Sequence, residues 1–560
     1  MPLSGKFVYR AFNKKETLKL KLNSKTVMGS LHQLRASFRG TDLANKCAVC
    51  EPPLRSELFS SDQMEQHGKT LAGLHKLSSE YAPDQLLARL AGNELILTGT
   101  RSLLSEAITT DRRITPAGEW LLDNFYLIEE QIRTARRHLP KGYSRELPRL
   151  LGGLSAGLPR VYDIALETIS HSDGRIDQQN LSRFVAAYQT VAILKLGELW
   201  AIPIMLRLAL IENLRRVGAR IAADRLDRNQ ADYWADRITE VAGKDPKSLI
   251  LAIADMARSN PPLKSAFVAE FARRLQGQGP ALAMPLTWIE QRLSESSLTI
   301  DRLVQSENQQ QAADQVSMSN SIGSLRFLGT MDWREFVETM SVVEQTLRED
   351  VGGAYGKMDF STRDRYRHVV EKIAKSGRLS EGEVAAEAVR LARESADNKD
   401  VCARCDRTSH VGYYLIDKGL PQLETMAHVR SSVSGALRKV GSRFPLLLYL
   451  GAITLITAIL TVALLAKAHA DGLPLWLLVT TGLLSALCAS QLALAVVNWL
   501  ATLLVIPQPL PRMDFSQGIP PESRTITIVP AMLTNAQFVL ETRLSSNERC
   551  ALYTTGTTPV

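Results

Sequence analysis

Two pairs of cysteines have the spacing most typical of a metal site. Cys47 and Cys50 form one C-x-x-C pair, and Cys402 and Cys405 form the other. Two such pairs can supply four thiolates to a tetrahedral Zn²⁺ ion. Zinc ribbons, however, separate their pairs by about 15–20 residues, and a far longer stretch intervenes here. The spacing therefore favours reduced, unliganded thiols, with a shared zinc site as the alternative if the fold brings the pairs together.

One serine matches the pattern of a catalytic nucleophile. Ser155 lies in Gly153-Leu-Ser-Ala-Gly157, which fits the G-x-S-x-G nucleophile elbow. An elbow needs a buried strand before the serine, and the residues that precede it are too charged and too interrupted by proline to form one. The pattern therefore predicts a glycine-rich loop without a catalytic role.

Two further groups of residues could in principle act on sugars. Asp173 and Asp177 have the residue types of an acid/base pair, but their polar, turn-like surroundings favour a solvated loop. Glu198 and Trp200 could place a carboxylate beside an aromatic platform. Core packing of the tryptophan and a helix-start position for the acid are favoured.

The sequence lacks the other common catalytic signatures. It has no G-x-x-x-x-G-K-[ST] loop, no G-x-G-x-x-G after a strand, no H-E-x-x-H and no Asp-x-Asp. Consequently no catalytic residue and no metal ligand is predicted, no cofactor is expected in this chain, and residues that bind one stay unassigned.

The residues after Pro52 repeat apolar side chains at helical spacing and predict a mainly α fold. Thr115 suits an N-cap and Pro116 the first position of a helix that should end near Leu139-Pro140. Four apolar residues would line one face of this helix: Leu121, Phe125, Ile128 and Ile132.

The most apolar stretch of the region before residue 444 runs from Leu199 to Leu214. It is too short and too charged to cross a membrane, so it predicts a central buried helix that starts or kinks at Pro203. Amphipathic helices return between Asp332 and Ser395. Three charged residues there are expected on solvent-exposed faces: Glu344, Arg348 and Glu349.

Two long uncharged stretches predict a membrane-spanning helical hairpin at residues 444–506. Residues 444–466 carry no formal charge and would span about 34 Å as a helix, enough for a hydrocarbon core of about 30 Å. A polar link at 467–472 follows, and the second span is expected at about 475–500. The hairpin predicts a bilayer as a binding partner.

Basic residues around the hairpin predict its orientation. Four precede the first span and two follow the second: Arg430, Arg438, Lys439, Arg443, Arg512 and Arg524. The link offers only Lys467, so the positive-inside rule places both termini in the cytoplasm. The net charge of +9 is dispersed along the chain. This pattern favours an ordinary solvated surface or a position beside an anionic membrane, and it excludes the clustered basic face of a nucleic-acid-binding protein.

Several strings resemble the amino-terminal region of bacterial cyclic β-1,2-glucan synthases. They lie at residues 52–60 (PPLRSELFS), 119–133 (EWLLDNFYLIEEQIR), 139–148 (LPKGYSRELP), 197–216 (GELWAIPIMLRLALIENLRR), 410–419 (HVGYYLIDKG), 510–520 (LPRMDFSQGIP) and 525–530 (TITIVP). They occur in matching order. The expected domains are a weakly ordered basic leader at 1–51, a helical cytoplasmic region at 52–443, the hairpin at 444–506, and a linker with the start of a glycosyltransferase domain at 507–560.

The resemblance implies an inner-membrane enzyme that moves glucose from UDP-glucose onto β-1,2-glucan with the help of Mg²⁺ or Mn²⁺. Thr525–Val529 would be the first strand of its GT-A-like α/β transferase domain, which would be truncated, and residues 550–560 no longer resemble the family. No catalytic residue can be carried over, so a fragment that is inactive alone is expected. Glucan or the remaining synthase domains would be its partners. The alternative is a non-catalytic, membrane-anchored helical scaffold that recruits a partner.

Overall fold

The computed structural model describes residues 51–78, 83–140, 142–397, 407–429, 445–504, 510–516, 518 and 521. It confirms the mainly α fold, with 75% helix and, among the described residues, one small two-stranded sheet. The four C-x-x-C cysteines and the predicted strand Thr525–Val529 lie outside the described residues. The chain divides into two compact units, Met1–Ser341 and Val342–Val560, at a boundary inside the predicted 52–443 region.

The first unit is built from twelve described α-helices and two short strands. The helices are α1 (Ser61–Leu74), α2 (Leu86–Thr109), α3 (Pro116–Asp123), α4 (Phe125–His138), α5 (Arg160–His171), α6 (Gln178–Gln189), α7 (Leu196–Lys244), α8 (Leu249–Ser259), α9 (Ser265–Leu275), α10 (Ala283–Ser294), α11 (Ile300–Thr330) and α12 (Trp333–Met340). Strands β1 (Leu77–Ser78) and β2 (Arg149–Leu150) pair antiparallel, with Leu77 opposite Leu150. Short 3-10 turns lie at Tyr143–Arg145, Pro246–Ser248 and Pro280–Leu282.

Helix α7 is the central element of the first unit, as the stretch Leu199–Leu214 predicted. It runs for 49 residues and packs against α2, α5, α9 and α11. Its first half is buried in a large apolar core, and its second half, around Trp234 and Ile238, belongs to another core with Phe267 and Phe271. Pro203 is the eighth residue of the helix, where its ring nitrogen cannot donate the backbone hydrogen bond to the Leu199 carbonyl oxygen.

The helix predicted after Thr115 forms with the expected ends but in two pieces. The Thr115 side chain accepts a hydrogen bond from the Gly118 amide, and Pro116 is the first residue of α3. The chain leaves helical geometry at Asn124 and resumes as α4, which ends at His138. The four residues of the predicted apolar face are all buried: Leu121, Phe125, Ile128 and Ile132.

The second unit contains a small helical core and the two apolar helices. Its elements among the described residues are α13 (Val342–Leu347), a 3-10 turn (Tyr355–Lys357), α14 (Phe360–Ser376), α15 (Glu381–Asp397), α16 (Val411–Ile416), α17 (Leu420–Met426), α18 (Pro445–Ala470) and α19 (Leu475–Leu504). Residues 510–516 return to the helical core, where the Asp514 amide donates to the Lys357 carbonyl oxygen over 2.8 Å. The predicted stretch between Asp332 and Ser395 is thus helical.

The expectation that Glu344 lies on a solvent-exposed face is wrong. Its side chain is fully buried in the small core. It accepts hydrogen bonds from the Tyr355 hydroxyl at 2.6 Å, from Arg367 at 2.7 Å and from Arg348 at 2.9 Å. Burial acts to raise the pKa of this carboxyl, but these donors outweigh it and lower the pKa. Helical periodicity cannot distinguish such an inward-facing, paired acid from a solvated one.

Candidate functional site

Helices α18 and α19 form an antiparallel hairpin whose outer surface is apolar. The most apolar 18-residue stretches of the two helices have mean hydropathies of 2.3 in α18 and 1.8 in α19. Leucines on both helices leave much of their surface uncovered, for example Leu455 at 62% and Leu487 at 67%. Water would disfavour such a continuous apolar surface, whereas lipid chains match it. Length and composition therefore indicate a membrane association for this segment.

Small residues bring the two helices of the hairpin together. Ala489, Ala493 and Val497 recur at four-residue intervals along α19 and are the residues buried against α18. At Gly482, an added Cβ would lie 3.4 Å from the Leu465 side chain, so the backbone approaches closely there. Helices in lipid pack through such small-residue faces, because the hydrophobic effect does not drive them together.

The ends of the hairpin carry polar and aromatic groups. The Tyr449 hydroxyl donates to the Asn498 side-chain oxygen over 2.7 Å and joins the start of α18 to the end of α19. Trp476 and Trp499 lie near opposite ends of α19 and are 67% and 63% exposed. Twenty-three helical steps separate them by about 35 Å, which matches a hydrocarbon core of about 30 Å with its interfaces. Indole rings favour these interfaces.

Glu198 lies in the interior of the first unit rather than at a sugar site. Its carboxylate is fully buried and accepts two hydrogen bonds of 2.6 Å from Arg160. It also accepts from the Lys195 amide at the start of α7. This supports the structural role that was favoured for Glu198, because no face of the carboxylate is open to a ligand.

A second buried carboxylate joins α7 to α2. Glu212 accepts hydrogen bonds from Arg215 at 2.7 Å and from Asn93 at 2.9 Å, and Arg89 lies at 3.3 Å. Burial alone would raise the pKa of this carboxyl, but the two guanidinium charges and the amide outweigh it and lower the pKa to about 2. Glu212 is therefore ionised over the whole physiological pH range.

Ion pairs also join α7 to α11. Arg228 donates to Glu307 over 2.5 Å, and Arg220 donates to Asp314 over 3.0 Å. The nearby Asp224 is half-buried. Burial, reinforced by the negative charge of Glu307, raises the pKa of Asp224 to about 6. This carboxyl is the member of the cluster that changes charge near neutral pH.

Ser155 lies in a loop, as predicted. Strand β2 before it has only two residues, and α5 begins several residues after it. Gly153 and Gly157 adopt φ values of +86° and +79°, which favour glycine. The serine side chain is buried, so it lacks the exposed position of a nucleophile elbow.

Asp173 and Asp177 have separate structural roles. Asp177 caps α6 by accepting from the Asn180 amide at 2.8 Å. Asp173 accepts from Arg55 at 3.2 Å and is 9% exposed, so the expectation of a solvated loop is wrong for this residue. The sequence could not reveal the pairing, because Arg55 is more than a hundred residues away along the chain.

An open groove of about 640 Å³ lies beside the second half of α7. Its lining residues are Thr110, Arg112, Asn229, Asp232, Tyr233, Asp236, Arg237 and Glu240. Each carboxylate of the groove is already paired: Asp232 with Arg225, Asp236 with Arg112, and Glu240 with Lys244. The groove is thus a polar surface without a free acid for catalysis.

Three other residues have the types and positions of metal ligands. His67 of α1 and Glu167 and His171 of α5 place one ligand atom each within 4.8 Å of one another. The sequence analysis predicted no metal ligands and did not identify these three residues. The i, i+4 spacing of Glu167 and His171 was visible, but His67 lies a hundred residues earlier, so the set could not be assembled from spacing.

Comparison with known proteins relates the chain to a glucan synthase. The chain is 29% identical over 511 residues to the cyclic beta-(1,2)-glucan synthase NdvB of Rhizobium meliloti (strain 1021). The match covers 89% of this chain but only 18% of the length of that protein. No family model matches the chain. The match confirms the resemblance found from the sequence motifs, and the chain is related to this glucan synthase.

Proposed function

We propose that this relative of a cyclic β-1,2-glucan synthase serves as the amino-terminal, membrane-anchored part of such an enzyme. The observation that carries the proposal is the 29% identity over 511 residues. The hairpin supports it, because two helices long and apolar enough to cross a bilayer can anchor the chain at a membrane. The proposed location is the bacterial inner membrane with both termini in the cytoplasm, following the basic residues around the hairpin.

In this proposal, residues outside these 560 catalyse the transfer of glucose from UDP-glucose to β-1,2-glucan. The same residues would bind Mg²⁺ or Mn²⁺. The sequence supports this division because it contains no Asp-x-Asp motif. The buried carboxylates of α7, Glu198 and Glu212, are held by arginines and have no acid/base role. The helical region would instead contact the glucan or the remaining synthase domains.

A direct test measures incorporation of radiolabelled glucose from UDP-glucose into glucan. Membranes would carry only this 560-residue chain, in a host without its own synthase. We expect no incorporation while the chain is intact and membrane-bound. Clear incorporation would contradict the proposal that the catalytic residues lie outside this chain, and it would place a transferase site within the helical region.

A complementation test separates the synthase role from the alternative of an independent scaffold. The matching segment of the related synthase would be replaced by this chain, and cyclic glucan would be measured in cells. Restored synthesis supports the proposal, and a chimera with a disrupted hairpin serves as the control. A stable, inserted chimera without synthesis would favour the scaffold.

Orientation can be tested at the link between the two spans. Alkaline phosphatase fused after Asp471 should be active, because the proposed topology exports the link. The same reporter fused after Ser341 should be inactive. The reverse pattern would contradict the cytoplasmic position of the helical region.

A further inference from the structure

We propose that His67, Glu167 and His171 bind a divalent transition-metal ion of the Zn²⁺ class. The His67 Nε2 lies 2.9 Å from Glu167 Oε2, and the His171 Nε2 lies 3.3 Å from the same oxygen. Ligand atoms around tetrahedral Zn²⁺ are about 3.3 Å apart, given bonds of about 2.0–2.1 Å. Both distances to the carboxylate oxygen are within a few tenths of an ångström of this value, and all three ligand atoms lie within 4.8 Å of one another.

The hydrogen bonding of His171 argues for a cation at this position. Its Nδ1 lies 2.8 Å from the Glu57 carbonyl oxygen, which can only accept, so Nδ1 carries a proton. In a neutral ring the Nε2 lone pair then faces the Glu167 carboxylate. Two electron-rich groups at 3.3 Å repel each other unless a metal ion, or a second proton on the ring, lies between them. Metal-bound histidines commonly donate their other N–H to a carbonyl in this way.

The fold holds the three ligands in place before any ion binds. Glu167 and His171 are one turn apart on α5, so they share a face. The capping box of Ser60 and Gln63 fixes the start of α1, the helix that carries His67. The Phe59 amide donates to the His171 carbonyl oxygen and ties the preceding loop to the end of α5.

Aromatic rings and one glycine form the walls of the site. The Phe59 ring stacks on His171 at 3.9 Å and meets His67 edge-on at 5.4 Å. On the other side, His67 stacks on the buried Phe184 of α6. Gly68 permits this approach, because an added Cβ would lie 3.0 Å from the Phe184 carbonyl oxygen. The imidazoles therefore have little freedom to turn away.

The donor set selects the class of metal. Two imidazole nitrogens and one carboxylate suit Zn²⁺ and its neighbours, whereas Mg²⁺ and Ca²⁺ prefer oxygen ligands alone. The side chains are 23%, 31% and 11% exposed for His67, Glu167 and His171. This partial exposure leaves room for water as a fourth ligand. The bound ion would clamp α1 to the end of α5.

The test titrates metal into the full chain, purified in detergent and stripped with chelator. We expect Zn²⁺ to bind and to raise the thermal midpoint, and Co²⁺ to give the absorption bands of a tetrahedral site. His67→Gln and His171→Gln should each weaken binding at least tenfold. His368→Gln is the matched control, since that histidine is exposed on α14 and lies outside the cluster. Replacing Cys47, Cys50, Cys402 and Cys405 by Ser removes the C-x-x-C thiolates from the signal.

Chemical modification tests the site without depending on the folding of a variant. Diethyl pyrocarbonate modifies accessible imidazoles, and mass spectrometry locates the products. Zn²⁺ should protect His67 and His171 in the unsubstituted chain but leave His368 reactive. Absence of protection, or equal Zn²⁺ affinity in the glutamine variants and the parent chain, would overturn the proposal.

Discussion

Helices α7 and α19 both pack against other helices, but α7 lies inside a water-soluble unit and α19 has the apolar outer surface of a membrane helix. Helix α7 is surrounded by other helices of its unit and carries buried ion pairs such as Arg160–Glu198 and Arg228–Glu307. Helix α19 exposes leucines and packs through alanines, with Tyr449–Asn498 as a neutral polar link. In a water-soluble unit, charges can be buried once each has a partner. Helix α19, with 30 residues against 49 in α7, contains no Asp, Glu, Lys or Arg, as suits a lipid environment.

The contrast predicts that identical substitutions will affect membrane binding in α18 but not in the helices of the first unit. Ile459 and Val462 on α18 are 58% and 64% exposed, and Ile250 and Leu251 on α8 are 62% and 66% exposed. Replacing Ile459 and Val462 by Arg should lower the carbonate-resistant, membrane-bound fraction at least tenfold, because each arginine at mid-span costs about 3 kcal/mol.

The matched control replaces Ile250 and Leu251 by Arg. This pair should leave the membrane-bound fraction and the thermal midpoint unchanged, because arginine on a water-facing helix surface costs little. If both double variants remain membrane-bound to the same extent, the exposed face of α18 is not in contact with lipid.

Breaking a buried pair on α7 should give the next largest effect. Arg160→Met leaves Glu198 buried without its partner and should cost about 3–5 kcal/mol of unfolding free energy. Adding Glu198→Gln removes the charge and should restore at least half of the loss. Urea unfolding of the full chain in detergent measures both.

The control is an exposed pair of the same unit. Arg101 and Glu129 are each 49% exposed, and their nitrogen and oxygen atoms lie 3.2 Å apart. Glu129→Gln removes the pair but keeps Arg101 over the Phe125 ring, and it should change the unfolding free energy by about 0.5 kcal/mol or less. Equal losses in the two variants would mean that burial of the Arg160–Glu198 pair has no energetic consequence.

In the hairpin, the volume of the side chains buried between α18 and α19, rather than their charge, should determine the free energy of unfolding. Ala493 is fully buried against α18, whereas Ala495 on the same helix is exposed. Ala493→Leu should overfill the interface and cost about 1–3 kcal/mol in SDS titrations of the detergent-solubilised chain. Ala495→Leu should be neutral, and a larger loss there would place the helix interface on the wrong face.

The smallest expected effect is a pH dependence from Asp224. Its pKa rises from 3.8 to about 6 on folding, so its contribution to stability is complete below pH 3.8 and is lost as the pH rises to about 6. Asp224→Asn should therefore gain about 1–2 kcal/mol relative to the parent chain between pH 4 and pH 7.5, after allowance for solvent screening at this half-buried position. Thermal unfolding at pH 4 and pH 7.5 measures this gain, with Asp123→Asn at an exposed position as the control. If the stability difference between Asp224→Asn and the parent chain were the same at both pH values, the raised pKa would be contradicted.

Sequence reasoning succeeded where local chemistry determines the structure. The Thr115 cap, the buried stretch Leu199–Leu214 and the two apolar helices each depend on neighbouring residues, and each was predicted. The resemblance to glucan synthases was inferred from several sequence motifs that occur in matching order along the chain. Each of these features is determined by side chains that lie only a few residues apart in the sequence.

The errors and omissions arose from pairings between distant residues. Glu344 was expected in solvent because its partners Tyr355 and Arg367 cannot be inferred from helical spacing. The contact between Asp173 and Arg55, and the approach of His67 to His171, join segments about a hundred residues apart. Only the packed fold brings these groups within bonding distance.

The course of helix α7 through two cores has a consequence for the order of events during synthesis. A chain made from its amino terminus presents α2 and α5 before α7, but the core around the first half of α7 also contains Met318 and Ile322 of α11, which is made later. The second half must wait for α9 and α11. The last residue of the first unit, Ser341, is made about a hundred residues before the hairpin starts at Pro445. Domains generally fold as units during translation, so the ribosome can deliver a completed helical unit before the chain first commits to the membrane.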